Sequence, residues 1–75
     1  MNEKIDKDIE SLKAQLRRIK ADIVKESADL EKKSQKYDLL SVLTPAEERE
    51  ADRLYNRIDR LEVWLDAVEA ALLAL

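Results

Sequence analysis

Two carboxylate pairs, Asp66 with Glu69 and Glu48 with Asp52, stand three and four residues apart, a spacing that puts each pair on one face of a helix. Paired carboxylates at such a separation are what general acid–base chemistry requires. With 17 Asp or Glu in 75 residues, however, acidic helices produce these spacings without any chemistry attached. No glycine is present to shape the loops that would wall a pocket around them. The solvated helix face therefore outweighs the active site, and no enzyme and no catalytic residue is expected.

Other reactive chemistry is missing by residue type. The chain has no cysteine and no histidine, which removes thiol nucleophiles, imidazole bases, the usual structural zinc sites and haem ligation together. A di-metal bundle built on Glu-x-x-His pairs is excluded for the same reason. No metal and no cofactor is expected.

A second pattern could follow a phosphate backbone. Residues 13–36 hold eight Lys or Arg against four Asp or Glu, and Arg18, Lys25 and Lys32 recur every seventh residue along one stripe. Acidic neighbours interrupt it: Asp22, Asp29 and Glu31 fall where they would pair with Lys25, Lys32 and Lys33. The net charge of −3 also discourages an anionic partner. Nucleic acid is thus the alternative reading, an RNA- or DNA-binding hairpin dimer using Arg18, Lys25 and Lys32. Residues 44–75 carry four basic and eight acidic side chains, so a second alternative is an inhibitor whose acidic half mimics nucleic acid.

The third pattern is apolar. The segment "VWLDAVEAALLAL" has only Asp66 and Glu69 charged among thirteen residues. A helix burying Leu65, Val68, Leu72 and Leu75 leaves Val63, Trp64, Ala67, Ala71 and Leu73 on its other faces, an excess that marks a contact surface. Arg57 and Arg60 precede Trp64 by seven and four residues, within reach of its ring, and Tyr55 sits on the opposite flank. The expected protein interface comprises Tyr55, Arg57, Arg60, Val63, Trp64, Ala67, Ala71 and Leu73. A further stripe of Ala14, Ala21 and Ala28 reads as good helix formers on a surface.

The elements that position these residues are helices. Charged residues make up 41% and hydrophobic residues 45% of the chain, with a single proline. Apolar residues at Ile5, Ile9, Leu12, Leu16, Ile19 and Ile23 alternate in steps of four and three, the a/d pattern of a seam-forming helix. Continuing the frame puts Leu30 and Tyr37 at a and Leu40 at d, but Glu26 and Lys33 take the intervening d positions. Those two must snorkel outward or find partners across the seam. "TPAE" at 44–47 then combines an N-cap threonine, a first-turn proline and the glutamate of a capping box. Beyond it Ala51, Leu54, Ile58, Leu61, Leu65, Val68, Leu72 and Leu75 form an unbroken a/d series.

The fold class is accordingly all-α: an antiparallel two-helix hairpin, coiled-coil-like, that dimerises into a four-helix bundle. Helix 1 is expected over about residues 2–41, the turn over about 42–44 and helix 2 over about 45–75. Tyr37 should lie near Ala51, Leu30 near Ile58, Ile23 near Leu65 and Leu16 near Leu72. The heptad phase also runs through the turn without a slip, so an opened, domain-swapped long helix competes; it would place Pro45 in a helix interior at a cost of roughly 3 kcal/mol.

The longest apolar run, "AALLAL", is six residues against the ~20 that a membrane span needs, and the opening "MNEKIDKDIE" has no leader-like apolar stretch. No membrane partner and a cytoplasmic setting are expected. Seventy-five residues without a disulfide bury too little to be secure alone. The functional expectation is a small helical interaction or assembly protein, a chaperone, adaptor or inhibitor of the bacterial or phage accessory kind. Its partners would be itself, as a homodimer or higher species, and a larger protein.

Overall fold

The computed structural model describes residues 3–75; a helix start at residue 2 lies outside the described residues. Two helices follow one another, α1 over Glu3–Asp38 and α2 over Pro45–Ala74, and pack together as an antiparallel hairpin with principal extents of 63 × 17 × 15 Å.

The break between them has a local cause. Proline restricts the residue before it to extended backbone, and Thr44 takes φ −69°, ψ 160°. From that geometry its Oγ1 accepts the Glu47 backbone N–H at 3.2 Å, and the Glu47 carboxylate accepts the Thr44 backbone N–H at 2.9 Å, closing the capping box. The Thr44 backbone N–H first, then the Thr44 side chain, and last the Lys36 charge hold the Glu47 carboxyl below its ordinary pKa against a smaller desolvation effect. On the other side, the Leu39 N–H bonds to the Gln35 carbonyl and the Leu40 N–H to the Tyr37 carbonyl, each at 3.2 Å, the second a tighter i→i−3 bond of the kind that closes the last turn of a helix. Helix α1 therefore stops at Asp38, and the connection runs over residues 39–44. So short a link forces antiparallel neighbours.

Helix α2 buries the a/d row read from its sequence except at its end, where Leu75, expected in the seam, is 39% exposed. Ala51 and Leu61 are buried, and Leu54, Ile58, Leu65, Val68 and Leu72 are half-buried. Leu61, at 2% exposure, is the most deeply enclosed large side chain.

Helix α1 departs from its predicted seam. Apart from Glu26, its buried and half-buried residues are Ile9, Lys13, Leu16, Lys20, Ile23, Ser27, Leu30, Ser34 and Tyr37, which is an a/e stripe. The d-row residues Ile5, Leu12 and Ile19 are 56%, 41% and 45% exposed. A seam on the d row would have carried Glu26 and Lys33 into the interior at a desolvation cost. The e row offers instead two small serines, over which the helices can approach, and two lysine stems that cover apolar surface while their ammonium groups stay wet. Ser34 is buried without penalty, because its hydroxyl donates to the Glu31 carbonyl at 2.8 Å. Lys20 reaches Glu69 at 3.5 Å across the e rows and marks the register.

Candidate functional site

The rotation of α1 opens a cleft on one broad side of the hairpin. Ile19 and Ile23 of α1 and Leu61, Trp64, Ala67 and Val68 of α2 line a volume of about 480 Å³. Asp22, Glu26 and Arg57 stand at the same cleft.

Arg57 organises its charged end. The guanidinium donates from Nε to Glu26 Oε2 at 2.7 Å and from Nη2 to Oε1 at 3.2 Å, a two-point pairing across the helices. Glu26 thus leaves the seam and finds its counter-charge on α2, one of the two outcomes its d position required. The Arg57 hydrogen bond, opposed by a smaller desolvation effect and reinforced by the arginine charge, holds the Glu26 carboxyl below the ordinary 4.5. The same guanidinium lies 5.1 Å from the centre of the Trp64 ring, and that of Arg60 lies 5.9 Å from it. Two cations flank the ring, which remains 42% exposed.

The eight residues singled out on α2 do not form one patch. Arg57, Trp64 and Ala67 line the cleft, Arg60 stands over the indole, and Ala71 is half-buried on the same row as Trp64. Val63 and Leu73, 65% and 90% exposed, lie on the helix's other faces. Tyr55 occupies the opposite flank, where its hydroxyl donates to Asp38 Oδ1 and the phenol pKa is raised, first by that bond.

Arg18, Lys25 and Lys32 are exposed along the c row of α1. The pairs expected between Asp22, Asp29 or Glu31 and Lys25, Lys32 or Lys33 do not form; among the described residues the ion pairs join Lys13 to Glu10, Lys20 to Glu69 and Arg57 to Glu26. Among the described residues no group of three or more acidic, His or Cys side chains is placed to hold a metal, and no helix is long and apolar enough to cross a membrane.

Residues that the sequence reading left out of the surface are the d-row apolar side chains of α1: Leu12 and Ile19, with Ile5 beyond them. The signal was present in the charged d positions Glu26 and Lys33, which make that row unfit for a continuous seam. Comparison with protein-family models, curated proteins and solved structures finds no match.

Proposed function

We propose that this chain is a small non-enzymatic assembly protein that pairs with a second copy as a four-helix bundle and offers the bundle's helical faces to a larger protein. One observation carries the reading. The hydrophobic core of the hairpin comprises Ile23, Tyr37, Ala51 and Leu61, while Ile5, Leu12, Ile19 and Trp64 stay more than two-fifths exposed on one side. A helix pair with so small an interior lacks the burial that an independent domain of this length needs. Covering the exposed row supplies it, and pairing of hairpins is the simplest way to do so.

A second reading has an observation of its own. Arg18, Lys25 and Lys32 are exposed and free of carboxylate partners among the described residues, so they remain available to phosphates.

Light scattering on the eluting protein at low and high salt, with and without a short duplex RNA or DNA, tests both. Apolar self-association gives a dimer whose mass is insensitive to salt. A species that forms only with nucleic acid and dissolves with added salt replaces the first reading with the second. A salt-independent monomer in every condition rules out self-assembly.

A further inference from the structure

We infer that the cleft beside Trp64 receives the same face of a second copy in a co-directional arrangement, both turns at one end, with α1 of each copy lying over α2 of the other. This rests on the self-association proposed above and adds the face, the orientation and the contacts.

The exposed apolar side chains of this side are not spread evenly. Ile5, Leu12, Ile19 and Leu75 belong to the half away from the turn, and Trp64, level with Lys25, stands at its border. The half nearer the turn is charged, with Glu26, Asp29 and Lys33 on α1 and Arg53, Arg57 and Arg60 on α2. A co-directional pair sets Ile19 over the other copy's Ala67 and Ala71 and seats Trp64 on its α1 near Lys25, with Ile5 and Leu12 running past the end of α2. Turning one copy end for end with full overlap pairs the d row of α1 with itself in reverse. Leu12 then meets Lys33 and Ile19 meets Glu26, which buries charge against apolar surface. Sliding the reversed copies apart until only the apolar ends overlap leaves Trp64 beyond the end of the other α1.

Charge completes the choice. The Lys20–Glu69 pair sets the register, and Asp29 lies nine residues past Lys20 while Arg60 lies nine before Glu69, so these two stand at the same height on opposite helices. Neither has an ion-pair partner among the described residues. Laying α1 over the second copy's α2 brings Asp29 to Arg60 in both halves of the two-fold pair, while Asp22 stands level with Ala67 and Arg57 keeps its own Glu26. The reversed arrangement, with α1 over α1, sets Asp22 beside the other copy's Asp22 and leaves Asp29 and Arg60 of the two copies at different heights, which costs affinity. One face of a hairpin 63 Å long and 17 Å wide has room for the ~800 Å² that each partner contributes to a stable dimer.

The chain has no cysteine, so a single label site can be introduced cleanly. Ser41→Cys, in the exposed connection and distant from the cleft, is spin-labelled, and the distance between copies is measured by pulsed electron resonance alongside the mass; Val42→Cys serves as a second site. Co-directional copies bring the two turns within about 30 Å, from interaxial spacings of 8–10 Å and the reach of the labels. A dimer with labels separated by most of the 63 Å length overturns the orientation and leaves self-association standing. A monomer overturns both. In parallel, Asp29→Arg should weaken the dimer several-fold and the double variant Asp29→Arg, Arg60→Asp should restore it; a double variant as weak as the single removes the Asp29–Arg60 contact from the assignment.

Discussion

Arg57 holds Glu26 across the hairpin through two hydrogen bonds of 2.7 and 3.2 Å, and so joins the one half-buried charged d position of α1 to the row of α2 that carries Trp64. The pair reconciles a polar break in the heptad pattern with a packed helix pair: the carboxylate turns out of the seam, and Leu61 fills the interior instead.

Acid should loosen the hairpin in a way that depends on this pair. The folded-state pKa of Glu26 is depressed, as is that of Glu47, so the stability each contributes is fully present above the ordinary 4.5 and is lost as pH falls below it through the depressed value. Thermal melts followed by circular dichroism should show the wild-type midpoint falling in that window. Glu26→Gln should start lower at neutral pH and fall less on acidification; an identical acid response in both proteins means the pair contributes nothing.

The cap at Thr44 sets where α2 begins. Thr44→Ala removes the acceptor of the Glu47 N–H and should cost about 1 kcal/mol. For a domain of this size that lowers the melting midpoint by roughly 4–8 °C. Thr44→Ser should recover most of the loss, and an alanine variant that melts with the wild type would show the capping box to be idle.

Burial separates two leucines of the same helix. Leu61→Ala empties the most enclosed site and should cost about 2–5 kcal/mol, enough to unfold much of so small a protein. Leu73, 90% exposed, should tolerate alanine within about 0.5 kcal/mol. Chemical denaturation of both variants checks this, and equal losses would contradict the packing described.

Trp64 reports on the surface without engineering, being the only tryptophan. Trp64→Ala should keep the circular dichroism of a helical hairpin while weakening association, and wild-type emission should shift red on dilution as the indole meets water. A variant that unfolds outright would make Trp64 a core residue, and one that keeps its mass would make it an exposed aromatic with no partner.

How far the fold could be read from the sequence is decided by the kind of signal each part carries. Thr44, Pro45 and Glu47 act on their own backbone, so the start of α2 was visible in four letters. The a/d row of α2 is apolar throughout and has one way to be buried. Helix α1 was misleading, because the apolar d residues Ile5, Leu12 and Ile19 point to an a/d seam, whereas the e row that is buried instead holds only Lys13, Lys20, Ser27 and Ser34. The residues that decided it, Ser27 and Ser34 against Glu26 and Lys33, act through the neighbouring helix rather than through periodicity. The stacking of Arg57 and Arg60 on Trp64 follows from i,i+7 and i,i+4 spacing and was legible. The partnership of Glu26 with Arg57 joins residues 31 apart and needed the hairpin itself. For the same reason the cleft, which takes four of its nine lining residues from α1, was legible only on its α2 side.

Sedimentation equilibrium of the wild type beside Ile19→Glu tests self-association through this face most directly. Ile19 is 45% exposed in the single hairpin, so a glutamate there is solvated and leaves the helix pair folded, whereas a covered face would have to bury the new charge. At micromolar concentration the wild type should sediment at twice the chain mass and Ile19→Glu at the chain mass, both strongly helical. A monomeric wild type, or an Ile19→Glu protein that still sediments as the dimer, would contradict it.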